Sequence, residues 1–336
     1  MIRLEKTRDT RLVKEIIKNN NFGGGGGHYC NNIEVVKEVK DGPYRIRNIL
    51  KGNGLMWFYL VTVENKIILI APLFIRKNEA VVAGTNEWFD FVDFFYSSDA
   101  SENEIEKAIS FLIMQMKNEG IKRLHWNWMP NDSVSHTIVG SDGYRKSREE
   151  VVDNTTIPFS DYDGYKAALS KSTKQNLRTA RNRLIRDNKN HEFQISMMGN
   201  IDEKIIEDCL KLYYSRQKTK YGVGFLRKLT IKTLDFNTRL LRRGEGVVAA
   251  FLIDGEVAAF MYGYINNQKS SLEIPKLAID DKFGFYSPGM LLVDSTIKYL
   301  ADNTQIKSLD LCRGTEQYKL KMGGEVYPTY NYTIEL

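Results

Sequence analysis

Two carboxylates, a phenol and two cations stand in positions where they could do chemistry: Glu273, and then Asp310, Arg313, Tyr318 and Lys319 in the single stretch Asp310-Leu-Cys-Arg-Gly-Thr-Glu-Gln-Tyr-Lys319. A carboxylate in a cleft that raises its pKa can take a proton directly or through water, which makes Glu273 and Asp310 candidate general bases. Arg313 suits a phosphate or carboxylate. Lys319 can serve an acceptor in the same way, or pair with Asp310 and make both structural. Upstream, Ser287-Pro288-Gly289 opens an amphipathic run. Serine there is a helix N-cap, proline is preorganised for the first helical position, and a glycine leaves backbone N–H groups uncovered. Such a helix start can hold an anion such as a pyrophosphate, with Gly289 letting it approach, or it can be an ordinary capped helix.

The elements that must position these residues are legible around them. Residues 246–253, 256–265 and 270–279 read as strands joined by Asp254-Gly255 and Asn266-Asn267-Gln268-Lys269, a meander. A helix over 288–302 follows, then a strand over 306–312, a short helix over 315–322 and a strand within 325–335. Pro275 falls inside the third strand, where it cannot complete a ladder, so that strand should part from a neighbour.

This order resembles the GNAT acyltransferase fold. More narrowly, residues 165–335 resemble the bacterial GNAT family of acetyltransferases of cellulose biosynthesis, through Leu169-Ser-Lys-Ser-Thr-Lys-Gln-Asn-Leu-Arg178, Asp280 ahead of Ser287-Pro288-Gly289, and Asp310, Arg313-Gly314, Tyr318-Lys319 and Gly323. The chain is similar, more distantly, to the Fem-type aminoacyltransferases of peptidoglycan synthesis, which are built on two GNAT-like domains. The resemblance implies that two central strands splay apart, that pantetheine lies in the gap and that the pyrophosphate meets the next helix start. Lys276, Leu277, Ala278, Ser287, Gly289 and Met290 would then hold acetyl-CoA or another acyl-CoA, with backbone N–H groups near Pro275 to Ala278 facing the oxyanion. Tyr318 resembles the GNAT tyrosine that protonates the departing thiolate, although it stands five residues before Gly323 where many GNAT sequences have four. A packed tyrosine with a satisfied hydroxyl is the alternative. Asp310 belongs to the family pattern, while Glu273 is chosen by position. No histidine falls in this region, which disfavours a histidine base.

The first half repeats the order without repeating the words. Residues 55–63, 66–75, 79–84, 121–128 and 151–158 read as strands, 102–118 as a helix and 131–139 as a short one. The expectation is therefore an α/β (α+β) fold of tandem GNAT-like domains, each a mixed, mostly antiparallel sheet flanked by helices. Residues 1–160 would form a degenerate domain that shapes the acceptor cleft, and 161–336 the acyl-CoA-binding, catalytic one. The first domain's equivalent helix begins Ser101-Glu102-Asn103-Glu104, and those acids would repel a pyrophosphate. Asp90 and Asp93 lie among aromatics in Trp88 to Tyr96, a composition that suits a sugar face or an amine, or a buried loop with solvated acids. Trp126 and Trp128 read as half-buried strand residues. The glycine run Gly23 to Gly27 reads as a flexible loop or an insertion, and His28 beside it as exposed.

With 336 residues and 42% apolar content the chain has room for two packed domains. It shows no membrane-length apolar run and no signal-peptide core at its start, so cytoplasmic residence is expected. Cys30, Cys209 and Cys312 have no metal or redox spacing, no metal is expected, and Cys312 reads as core filling. Residues 165–190 carry eight basic side chains against Asp187, a charge of +7, so the rest of a +6 chain is about neutral. Lys171, Lys174, Arg178 and Arg181 share one helix face there. They read as a solvated face or as a clamp for an anionic small-molecule or glycan acceptor. Peripheral proximity to a membrane is compatible with such partners. A short helix without a nucleic-acid motif excludes DNA, and tRNA enters only if the chain is Fem-type. The reading as a whole is an acyl-CoA-dependent N-acyltransferase for an amino-sugar or related cell-surface polysaccharide precursor. The rivals are a Fem-type transferase fed by aminoacyl-tRNA and a non-catalytic glycan or nucleotide-sugar binder.

Overall fold

The computed structural model describes residues 1–20, 22–24, 36, 40, 54–84, 90–141, 143–197, 203–221 and 246–336. Gly25 to Gly27, His28, Cys30, Trp88 and Phe89 lie outside them. The chain divides into two units, Met1–Val152 with Tyr327–Leu336, and Asp153–Val326.

In the first unit, strands β1 (Ile2–Thr7), β2 (Phe22–Gly24), β3 (Leu55–Val63), β4 (Lys66–Arg76), β5 (Glu79–Val82), β6 (Phe95–Ser97) and β7 (Arg123–Pro130) accompany helices α1 (Thr10–Asn19), α2 (Glu102–Asn118) and α3 (Val134–Gly140). β1, β3, β4 and β5 pair antiparallel in that order, and β5 then runs parallel to β7. α2 packs on β3 and β4 through Ile105, Ala108, Ile109, Leu112 and Met116, which recur at helical spacing, and β4 is buried on both faces from Ile68 to Phe74. Gly23 and Gly24 pair with Tyr96 and Phe95, so part of the glycine run is strand and not loop.

The second unit repeats this plan. After β8 (Lys146–Pro158), α4 (Tyr162–Ala168), α5 (Lys171–Arg186), β9 (His191–Met197) and α6 (Glu203–Tyr221) come the meander β10 (Val247–Ile253), β11 (Glu256–Asn266) and β12 (Ser271–Ile279). A 3₁₀ turn (Asp281–Tyr286), α7 (Pro288–Asn303), β13 (Ser308–Arg313) and α8 (Gln317–Lys321) complete it, and β14 (Glu325–Glu335) follows. β9, β10, β11 and β12 pair antiparallel, and β12 runs parallel to β13 as β5 does to β7. Leu272, Ile274, Leu309 and Leu311 face a core shared with Leu177, Leu184, Leu292 and Ile297 from α5 and α7. α6 packs across the other face, where Tyr213 meets Phe260 edge-on at 6.5 Å.

The last strand of each half differs from expectation. The strand beside β7 is β14, with Thr329 opposite Pro130 and Glu335 opposite Arg123, and the strand beside β13 is β8, with Ser308 opposite Pro158. The second unit therefore stops at Val326, and the C-terminal residues 327–336, expected in the domain 161–336, belong to the first. Both units are mixed, mostly antiparallel sheets flanked by helices, the tandem GNAT-like architecture read from the sequence.

Candidate active site

β12 and β13 are paired through Ser271 with Ser308, Leu272 with Leu309 and Glu273 with Asp310, and no further. β12 continues to Ile279 while staying bonded to β11, from Tyr262 opposite Lys276 to Ala259 opposite Ile279. The cause is local. Ile274 and Pro275 bulge opposite Gly263, and a Cβ on Gly263 would stand 1.8 Å from the carbonyl oxygen of Glu273, so only glycine fits. Residues 276–279 thus leave β13 and open a gap in the sheet, as the resemblance implied.

A cavity of about 990 Å³ adjoins this gap, bounded by Leu277, Ala278 and Ile279, by Asp208 to Arg216 of α6, and by Tyr318. Its charged lining is Asp208, Glu256, Asp280, Asp281 and Glu316 against Lys211 and Arg216. The two cations are held locally: Lys211 pairs with Asp208 at 2.9 Å, and Arg216 with Asp281 at 2.9 Å while it also donates to the Ile279 carbonyl.

Tyr318 lies half-buried on this wall. Burial, and secondarily the Glu316 charge, hold its phenol well above the usual range, so it keeps its proton. Glu273 and Asp310 are opposite one another on parallel strands and therefore project from the same side of the sheet, the face away from Leu272 and Leu309. Glu273 is fully buried and accepts from Asn266 Nδ2 at 2.8 Å. Asp310 is buried and accepts the Cys312 N–H at 2.7 Å, across a β-bulge in which Cys312 adopts φ +52°. Cys312 itself is 1% exposed.

The start of α7 departs from its sequence reading. Ser287 is left-handed at φ 51° and ψ 49°, ends the 3₁₀ turn, and makes no side-chain cap bond, because an N-cap hydroxyl reaches the helix amides from an extended backbone. Its carbonyl takes the Met290 and Leu291 N–H groups at 3.1 and 3.3 Å. Among the described residues the Gly289 N–H has no hydrogen-bond acceptor, and Gly289 itself is buried, so the helix start offers one unmatched amide in place of several exposed ones. Gly289 has a further reason to be glycine: a Cβ there would stand 2.4 Å from Ile279 Cδ1. In the first unit, by contrast, a capping box occupies the amides of α2, with Ser101 and Glu104 bonding each other's backbone N–H at 3.3 and 2.8 Å.

Several expected ligands are committed elsewhere. Lys319 is 3% exposed and its ammonium donates to the carbonyls of Leu311, Arg313 and Gly314 at 3.0, 2.8 and 3.0 Å, so it braces the turn after β13 and is withdrawn from an acceptor. Asp93 is 3% exposed and accepts from the Phe94 N–H at 2.7 Å and from Ser135, whose hydroxyl also meets Tyr96 OH at 2.5 Å; it points inward, away from a sugar or amine. Asp90 is partly exposed in the first unit, and Arg313 partly exposed at the end of β13. Trp126 is fully buried rather than half-buried. Lys174 donates to the Ala167 carbonyl at 2.8 Å, and neither it nor Arg178 lines the cavity. Arg181 turns inward to Asp294, which also receives Lys166 at 3.0 Å and Tyr162 OH at 3.1 Å.

Asp294 escaped the sequence reading. It is wholly buried in α7 and joins α4, α5 and α7 through those three partners. The signal was present, an acid between Leu291 and Ile297 on the apolar side of Pro-Gly-Met-Leu-Leu-Val-Asp-Ser-Thr-Ile-Lys-Tyr-Leu. The motif Leu169 to Arg178 acts structurally too: Ser170 caps α5, and Thr173 donates to the Lys321 carbonyl at 2.9 Å, tying α5 to the helix that carries Tyr318.

A sheet opened between its parallel strands, beside a helix start with a bare amide and a protonated tyrosine, defines the second unit as a GNAT-type acyltransferase fold. Comparison with known proteins agrees, for residues 171–320 match the acetyltransferase (GNAT) domain, which makes the chain an acyltransferase in class. No curated protein matches the sequence. Among solved structures, a conserved protein of unknown function from Bacteroides thetaiotaomicron VPI-5482 is 11% identical, with a TM-score of 0.61 over 100% of both chains. The C-terminal domain of a putative lysylphosphatidylglycerol synthetase from Agrobacterium fabrum is 11% identical, with a TM-score of 0.58 over 98% of this chain and 92% of that one. FemX is 8% identical, with a TM-score of 0.58 over 98% and 96%. At these identities the likeness is one of fold.

Proposed function

We propose that the chain is an acyl-CoA-dependent N-acyltransferase, with acetyl-CoA as donor, that modifies an amino sugar or related precursor of a cell-surface polysaccharide. The observation that carries this reading is the parting of β12 from β13 immediately after Glu273 and Asp310, with Tyr318 on the adjoining wall. Backbone N–H groups of Lys276 to Ala278 and the Gly289 amide would hold the donor. A neutral acceptor amine attacks the thioester carbonyl, forming the C–N bond as the C–S bond breaks; the amine proton passes to Glu273 or Asp310, and the Tyr318 hydroxyl gives its proton to the thiolate. The tyrosine is then reprotonated from solvent.

The cavity lining bears on the acceptor. Of its five carboxylates, Asp208 and Asp281 pair with Lys211 and Arg216, Glu256 with Lys282 at 2.6 Å and Glu316 with Lys319 at 3.1 Å, so the lining carries little net charge toward the acceptor. The first unit, whose helix start is closed by its capping box, takes no donor in this scheme.

Calorimetry with acetyl-CoA tests the donor: binding in the micromolar to millimolar range is expected, and no heat at saturating acetyl-CoA would sink the proposal. Free-thiol release across a panel of amino sugars and their nucleotide conjugates then identifies the acceptor. The likeness to FemX and to a lysylphosphatidylglycerol synthetase favours a second reading, aminoacyl transfer from tRNA. Transfer of a labelled amino acid from charged tRNA, with no acetyl-CoA binding, would establish it instead.

A further inference from the structure

The outward face of α5 and the adjoining 3₁₀ turn form a surface that the acyl-transfer site does not use. α5 buries Leu177, Ala180 and Leu184, which directs Lys171, Arg178, Ile185 and Arg186 to the opposite side. Ile185 is 67% exposed and Phe285 51%, the two most exposed large apolar side chains among the described residues of the second unit. Phe285 is held in place, its ring lying 4.3 Å from the Arg183 guanidinium and its carbonyl accepting from Arg183 at 2.7 Å. Scattered exposed apolar residues mean little alone. What distinguishes this pair is the charge around it. Lys171, Lys174, Arg178 and Arg183 have no carboxylate within 4.0 Å among the described residues, Lys174 and Arg183 bonding only carbonyl oxygens. Arg186 and Lys189, in contrast, are answered by Asp187 and Asp254 at 2.8 and 2.6 Å.

We propose that this face docks on an anionic lipid bilayer, with the four uncompensated cations over the headgroups and Ile185 and Phe285 entering the interface. A cationic helix face bearing isolated large apolar side chains is the composition of an interfacial helix. Each lysine or arginine near an anionic surface strengthens binding roughly fivefold at moderate salt. Nucleic acid would use the cations but gives no role to an isoleucine held outward on a well-packed helix. The inference is independent of the donor and the acceptor, because none of these residues lines the cavity.

Co-sedimentation of the full chain with vesicles tests it. Vesicles of phosphatidylcholine containing phosphatidylglycerol should bind the protein at least about tenfold more tightly than pure phosphatidylcholine, and less so as salt rises. The double variant Lys171→Glu with Arg178→Glu should lose about tenfold or more. Ile185→Ser with Phe285→Ser should also weaken vesicle binding several-fold at unchanged charge, while Met114→Ser, an exposed apolar residue of the first unit, should have no effect. Emission from Phe285→Trp should shift to the blue on adding anionic vesicles, which reads insertion directly. Equal binding to both vesicle types overturns the proposal. So does a loss confined to the charge variants with no blue shift, which would mark a general polyanion surface, and an RNA competition arm would then identify nucleic acid as the occupant.

Discussion

Tyr318 owes its protonation to burial first and to Glu316 second, and this fixes what it can do. A phenol held well above the usual value near 10 donates a proton across the neutral range and does not titrate there. Tyr318→Phe should therefore lower kcat about 10²-fold while leaving the shape of the pH–rate profile unchanged. The sign for stability is equally definite: unfolded tyrosine ionises near pH 10 while the folded phenol stays protonated, so stability conferred by the wild-type residue falls as pH rises through that value, and the phenylalanine variant is spared the loss. Unchanged kcat would reduce Tyr318 to a packed side chain. At this scale the sequence was a partial guide. Tyr318, Glu273 and Asp310 are chosen by type and place; Tyr318 stands on the cavity wall, while Glu273 and Asp310 form the last paired register before the strands part and do not line the cavity. Lys319 and Asp93 were picked by the same means and face inward, since charge in a sequence gives no direction. Direction depends on which backbone carbonyls a turn leaves unmatched, and for Lys319 these are Leu311, Arg313 and Gly314.

Pro275 and Gly289 show what an element reveals in its sequence and what it conceals. Proline has one physical consequence in a ladder, and β12 leaves β13 just before it. Glycine has several. Gly289 reads as a phosphate-approach residue, yet its missing Cβ also makes room for Ile279 at the end of β12, a contact that no local pattern reveals. The two roles are separable. Gly289→Ala should destabilise the protein by about 1–3 kcal/mol in urea denaturation, because a Cβ at 2.4 Å from Ile279 Cδ1 overpacks the helix against the strand. Adding Ile279→Val, which removes that Cδ1, should bring the penalty below about 1 kcal/mol, a coupling that a double-mutant cycle measures. Alanine keeps the amide N–H, so the double variant should also regain acetyl-CoA binding. A double variant that folds stably but still fails to bind would show that the bare backbone itself meets the donor. The left-handed Ser287 was hidden for a related reason, since Ser-Pro-Gly is compatible with an extended cap and with a turn end, and the preceding 3₁₀ turn selects the latter.

For the whole molecule, order was legible and partnership was not. Apolar runs bounded by turn residues mark the central strands of both halves but not β1, β2, β6 or β9, and the repeat of three strands, helix and strand tells of two similar units. Alternation marks a strand's faces and not its neighbour, so nothing in residues 325–335 announced that they complete the first unit. The consequence is testable. Tyr332 and Ile334 are fully buried and Thr329–Glu335 pair with β7, so ending the chain after Val326 strips β7 of its antiparallel partner. Two lost apolar burials of about 2–3 kcal/mol each already amount to a large part of the 5–15 kcal/mol typical of a domain, before the ladder hydrogen bonds are considered. In hydrogen exchange, amides of Arg123–Pro130 and of the α2-covered strands β3 and β4 should lose protection. Those of Val247–Ile279, whose antiparallel partners all come from the second unit, should keep theirs. Equal loss in both regions would mean that the two units unfold as one cooperative body, and the donor site would then depend on a strand counted with the first unit.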